Sequence, residues 1–212
     1  MTEVAISTSA VKLLHLSSSV LFFIAMIICG CASKPYLDLT YQLPAPSASQ
    51  KGNLVCLTVK DARQNKTLFS NAAKKEFQNF NGLFNLSIVD INKKQSQLGT
   101  YKIEELFQKT LGKRMQNMGI KVQKGCLDQK PVMQVDIKKF KIDLVNHRWK
   151  ASVGYEAIFT RDGKKKVKET ISGNAERIKI VGSNAAQSVV EELFTDMINR
   201  LDINRLFDQS IL

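Results

Sequence analysis

The stretch MQVDIKKFKIDLVNHRWKASVGYEAIFTRDGKKKVKETIS, residues 133–172, decides the fold. Met133, Val135 and Ile137 alternate with polar residues, the period-two signature of a half-buried strand. Phe140, Ile142 and Leu144 alternate on the opposite parity. One extra residue flips every later side chain, so the switch predicts a bulge or bend near Lys138-Lys139. A turn at Asn146-His147 leads into Trp149, Ala151, Val153, Tyr155, Ala157 and Phe159, all of one parity. Arg161-Asp162-Gly163-Lys164 is a hairpin signal, because Asp-Gly supplies the positive φ angles that such turns need. Val167, Ile171 and Ala175 continue on the return strand. Pro131 to Ile180 therefore reads as a three-stranded meander.

Beyond the meander, Ser183 is placed to cap a helix over Asn184 to Leu201. Ala186, Val189, Val190, Leu193, Phe194, Met197, Ile198 and Leu201 form its apolar face. The tail from Ile203 is apolar enough to pack. Upstream, Tyr101 to Met118 is a second amphipathic helix, carrying Ile103, Leu106, Phe107, Thr110, Leu111, Met115 and Met118 on one face. Thr100 is its candidate cap and Gly119 its stop. Leu54 to Val59, Phe84 to Val89 and Ile120 to Gln123 read as strands, and Asn71 to Phe80 as a short helix or a loop. The expected class is α+β: an antiparallel-rich sheet with two main helices packed on one face, preceded by a signal peptide and tether.

The chain has 212 residues, 44% of them apolar and 24% charged. That suits one domain with a core plus a targeting segment, and argues against wholesale disorder. The net charge of +12 favours acidic partners without choosing among them.

Residues 1–12 are polar to mildly apolar and end in Lys12. The run LLHLSSSVLFFIAMII follows, densest from Val20 to Ile28. That length suits a signal-peptide core better than a spanning helix of about 20 residues. A membrane anchor is the second reading of the run. Ile28-Cys29-Gly30-Cys31 resembles a bacterial lipobox. The resemblance implies diacylglycerol on the Cys31 thiol, cleavage before Cys31 and acylation of the new amino terminus. Ala32, in place of Asp, resembles the outer-membrane sorting pattern of bacteria with two membranes. The expected organisation is a cleaved signal peptide over 1–30, a lipidated terminus and flexible tether over 31–52, and a single α+β domain over 53–212. Within the tether, Tyr36 to Tyr41 alternates and is a candidate short edge strand.

The strand ending in Val59-Lys60-Asp61-Ala62-Arg63 resembles the V-x-D-x-R signature of YajG-type outer-membrane lipoproteins. The late hairpin and closing helix, with Leu201-Asp202-Ile203 and Leu206, are similar to that family too. The resemblance implies an envelope lipoprotein. Similar domains occur in lipoprotein accessories of transporters that move lipid between membranes. The plainer reading of Asp61 and Arg63 is a turn held by Asp side-chain bonding to backbone.

Enzyme signatures are absent from the sequence: there is no G-x-S-x-G, H-E-x-x-H or P-loop spacing. Outside the signal segment His147 is the sole histidine, and it falls in a predicted turn. Glu104-Glu105 and Glu191-Glu192 read as surface carboxylates. We expect no enzyme, no cofactor and no metal. Cys56 and Cys126 are a candidate disulfide in an oxidising compartment, with two buried thiols as the other reading. Lys138, Lys139, Lys141, Arg148, Lys150, Lys164, Lys165, Lys166 and Lys168 form a candidate rim for anionic partners, if one end of the sheet carries them all. The other reading is ordinary hairpin solubility. The expected function is a non-catalytic binding or scaffold module in the bacterial envelope. Its expected partners are the bilayer through Cys31, and anionic lipids, envelope glycans or envelope proteins, not nucleic acid. The alternative is an auxiliary lipoprotein of an envelope lipid-transport system that binds anionic lipid or lipopolysaccharide.

Overall fold

The computed structural model describes residues 34–123, 131–161, 165–180 and 184–209. The meander is present as three long strands, β6 (Val132–Val145), β7 (Arg148–Arg161) and β8 (Lys165–Ile178), paired antiparallel in sequence order. The register of β6 against β7 slips between Ile137 and Lys139, at the predicted bulge. Upstream of it Met133, Val135 and Ile137 are buried, and downstream Phe140 and Ile142 are. Asn146 and His147 both take positive φ, at 49° and 58°. That is the two-residue turn whose twist matches its strands. The residues flanking the second hairpin, Arg161 and Lys165, pair in register. Asp162, Gly163 and Lys164 lie outside the described residues.

β2 (Leu54–Asp61) and β5 (Lys121–Gln123) extend this sheet by parallel pairing, in the order β5-β2-β6-β7-β8. A second, three-stranded sheet holds β1 (Tyr36–Gln42), β3 (Leu83–Val89) and β4 (Gln95–Tyr101) in the order β1-β3-β4. The fold class is α+β, as expected, but with two sheets instead of one. β4 has the polar sequence QSQLGTY and leaves no alternation to read.

α1 (Asn71–Lys74) is a single turn, its start capped by the Ser70 hydroxyl accepting from Ala73 N. α2 (Ile103–Asn117) and α3 (Ala185–Arg200) are the two main helices, and α4 (Ile203–Gln209) packs the tail. α2 starts later than the sequence suggests, because Tyr101 belongs to β4. Lys102 is its cap residue, and Glu105 accepts from Lys102 N instead of Thr100 capping. Gly119 ends α2 at φ +86°, and a Cβ there would come within 3.0 Å of the Lys51 backbone. Both main helices lie on the inner face of the larger sheet. Phe107 of α2 meets Phe140, Tyr155 and Phe194 of α3 edge-on, with centroids 5.2–6.2 Å apart. Gly173 makes room for α3, since a Cβ there would sit 2.6 Å from the Met197 methyl.

The segment read as a tether is largely part of the domain. β1 runs parallel to β3 over its whole length, and Leu37, Leu39 and Tyr41 are core residues. The alternation that marked a candidate edge strand is the inward face of this strand. Its outer edge is covered by α3. Thr40 N donates to Glu191, Gln42 N to the Thr195 hydroxyl, and Asn199 donates to Gln42 O. Such covering removes an edge open to another chain. Residues 47–52 then lie against the end of α2, where Ser47 N bonds Asn117 O and Gln50 N bonds Met118 O. The folded domain therefore starts by Tyr36, not at residue 53.

Candidate functional site

β2 ends at Asp61, and Arg63, two residues on, stands at one wall of a cavity. Arg63 grips Asp61 with a forked pair of bonds, Nε to Oδ1 at 2.8 Å and Nη2 to Oδ2 at 3.0 Å. Asp61 Oδ1 also accepts from Arg63 N at 3.2 Å, the turn contact expected from the sequence. The third arm of the guanidinium donates from Nη1 to Phe140 O at 3.1 Å, tying the end of β2 to β6 just past the bulge. Lys66 Nζ reaches Asp61 O and Oδ2. The Arg63 bonds above all hold the Asp61 carboxyl down at about 2, helped by Lys66 and opposed by burial. Charge-assisted, two-pronged pairs of this kind are the strong ones.

After Arg63 the chain loops over the inner face. Residues 68–70 lie beside β6, with Ile142 N donating to Leu68 O and Ser70 N to Ile142 O. This stitching and α1 bring the Phe side chains of the loop together. Phe69 stacks on Phe77 at 4.7 Å and meets Phe80 edge-on at 5.0 Å. Phe77 continues to Trp149, and Phe80 to Phe84 and so to Phe140. Beside the cluster lies a cavity of about 290 Å³. Leu68, Phe69, Phe77, Phe80, Phe84 and Ile103 line it, with Arg63, Lys66 and Lys74 supplying charge. The size sits at the small end of the ~300–1,000 Å³ typical of ligand pockets. The arrangement offers hydrocarbon contact inside and positive charge beside it. Among the described residues, no three His, Cys, Asp or Glu side chains gather as metal ligands do.

Among the described residues, the basic residues of the expected rim are spread along the sheet and not gathered at one place. β7 is 14 residues long, about 45 Å at ~3.3 Å per residue. Arg148 and Lys150 stand at one end of it, and β8 residues Lys165, Lys166 and Lys168 at the other. Lys138, Lys139 and Lys141 lie between, at and beyond the bulge. Several are neutralised locally: Lys138 by Asp136, Lys141 by Asp143, Arg148 and Lys150 by Glu176, and Lys168 by Glu156. Such exposed pairs contribute about 0–1 kcal/mol each. Long strands separate clusters that sequence order places close together.

Cys31, Cys126 and Lys164 lie outside the described residues. Cys56 is buried and disulfide-bonded. It is the sole cysteine among the described residues, so its partner lies outside them. His147 is exposed in the turn. Glu191 caps the edge of β1 and Glu192 pairs with Arg177.

Two features escaped sequence reading. The first is the cavity itself, whose one sequence signal is that Phe69, Phe77, Phe80 and Phe84 stand, without a regular period, in an otherwise polar stretch. The second is Arg114, a charge on the inner side of α2. It donates to the Ile198 and Leu201 carbonyls at the end of α3, while the Tyr155 hydroxyl donates to Met197 O. These bonds satisfy carbonyls that a helix end leaves without partners. Burial pushes the Arg114 pKa down and the Tyr155 pKa up.

No protein-family model matches the chain, and no curated protein matches it. Among solved structures, the chain is similar to the crystal structure of protein XCC0632 from Xanthomonas campestris, of family DUF330. The TM-score is 0.50 at 9% identity, over 82% of this chain and 97% of that one. Looser likenesses are to rare lipoprotein B from Shewanella oneidensis, with TM-score 0.39, 10% identity and coverage of 75% and 94%. Another is to a putative neuraminyllactose-binding hemagglutinin homolog from Helicobacter pylori, with TM-score 0.36, 9% identity and coverage of 80% and 94%. What the chain shares with the Xanthomonas protein is the fold.

Proposed function

We propose that the protein is a bacterial envelope lipoprotein, anchored to the outer membrane through acylated Cys31, whose periplasmic domain is a non-catalytic binding module. The observation that carries this reading is Ile28-Cys29-Gly30-Cys31 directly after an apolar run of signal-peptide length. Three acyl chains at about 0.8 kcal/mol per buried CH₂ make such an anchor effectively permanent. The position of β1 sharpens the reading. Tyr36 stands five positions after Cys31, a reach of at most about 18 Å, so an acylated Cys31 would leave the domain little tether. Cys31→Ser should abolish labelling by radioactive palmitate and block processing. Continued labelling of that variant overturns the assignment.

A second reading, an auxiliary subunit of an envelope lipid-transport system, is favoured by the hydrocarbon lining of the cavity. Isolation from detergent-solubilised membranes separates the two, since transporter subunits co-purify only under the second.

Cys126 is our proposed partner for Cys56. Cys56 pairs in register with Gln123 on one side and Val132 on the other, so it is flanked by both ends of the segment that holds Cys126. A non-reducing peptide map should join the two cysteine peptides, and free thiols at both positions would exclude the pairing.

A further inference from the structure

We infer that the aromatic cavity beside Arg63 binds the alkyl chain of a single-chain anionic amphiphile drawn from the bilayer. The inference rests on the proposed Cys31 anchor for its location. Its chemistry stands on the cavity alone. The lining is mostly aromatic rings with Leu68 and Ile103, which suit hydrocarbon, and Thr67 and Gln78 are its uncharged polar side chains. A volume of about 290 Å³ has room for one alkyl chain, not for the pair carried by an ordinary phospholipid.

The flanking charge fits the other end of such a molecule. Asp61 neutralises one of the two cations it touches, Arg63 and Lys66, so the trio carries one net positive charge. Lys74, exposed at the end of α1, adds a second. Three of the five guanidinium N–H groups of Arg63 are occupied, by Asp61 twice and Phe140 O once. Two remain for a carboxylate or phosphate.

The cavity also sits at the end of the domain where the described chain begins. Asn81 N donates to Pro35 O, and the residues on either side of Asn81, Phe80 and Gly82, line the cavity. The tip of the β6–β7 hairpin lies at this end as well, through Trp149 on Phe77 and Lys179 on Glu76. Val145, Ile178 and Ile180 are exposed there, at 39%, 57% and 63%. Exposed apolar side chains of this kind suit the headgroup–acyl boundary of a bilayer, while Arg148, Lys150 and Lys179 beside them are paired with Glu176 and Glu76.

The test uses the full chain reconstituted in phosphatidylcholine vesicles containing a diazirine-bearing dodecanoate. After illumination, adducts should concentrate in peptides spanning residues 66–84. In the double variant Lys66→Glu, Lys74→Glu, whose side chains are exposed, their yield should fall roughly tenfold. A diazirine-bearing dodecanol should show no such dependence. Adducts without enrichment in 66–84, or a yield indifferent to the two substitutions, overturn the inference. Flotation of the unilluminated vesicles reads the anchor separately: protein that floats but is not labelled in the cavity retains the anchor and loses the ligand.

Discussion

Arg63 and Arg114 are equally buried, each 9% exposed, yet they are used in opposite ways. Arg114 spends its bonds on the last carbonyls of α3, in a region closed by Tyr155, Met197 and Leu201. Arg63 grips a carboxylate and one carbonyl, keeps two N–H groups in reserve, and looks onto a cavity. One guanidinium finishes a helix and the other borders an opening. Burial alone therefore does not separate a structural arginine from a binding one. What separates them is the kind of partner, helix-end carbonyls for Arg114 and a carboxylate for Arg63, and whether space lies beside the group.

The contrast can be broken from either side. Arg114→Ala should have the largest effect, about 4 kcal/mol lost in urea denaturation, because two bonds from a charged group go and buried carbonyls lose their partners. Dodecanoate labelling of the cavity should survive in whatever fraction stays folded. Gly173→Val, under α3 in the same closed region, should cost about 3 kcal/mol by overpacking against Met197 and Leu193. A variant as stable as the parent would mean that α3 shifts freely, and the closed region is then not closed.

On the other side, Asp61→Asn should cost on the order of 2 kcal/mol near neutral pH. The folded-state pKa is depressed to about 2, chiefly by Arg63. The stabilisation is therefore present above the unfolded carboxyl value of about 4, and is lost as pH falls from there through about 2. The parent should lose stability across that window and Asp61→Asn should lose less. Equal slopes would remove the pair from the account. The carbonyls that Arg114 holds do not titrate, so its contribution has no such window. The smallest effect belongs to the far end of the sheet, where Lys168→Ala should stay within about 0.5 kcal/mol despite its 2.5 Å contact with Glu156. A larger loss would show that outer-face charges are organised and not merely soluble.

The meander was legible because its strands are long and alternate strictly, and because the parity switch at Lys138-Lys139 has one geometric meaning. Both main helices were legible from their apolar faces. β4 was not, since a polar strand at a sheet edge keeps no inward stripe to read. β1 showed its alternation, but the prolines after it drew it into a tether. The second sheet followed from that loss. Of the site, Asp61 and Arg63 were visible as a turn. The cavity beside them depends on Phe69, Phe77 and Phe80 converging across a loop, and no period in the sequence encodes that meeting. Arg114 was hidden because an arginine on a helix ordinarily reads as solvated.

The parallel, in-register pairing of β1 with β3 has a mechanical consequence. The seven residues from Tyr36 to Gln42 are matched to Leu83 through Val89 without a slip. Tension entering at residue 34 runs along that strand, so the rungs of the ladder are loaded together in shear and are not peeled one at a time. The grips of Glu191, Thr195 and Asn199 on the opposite edge share the same load. A domain pulled from this end resists with the strength of the whole strand.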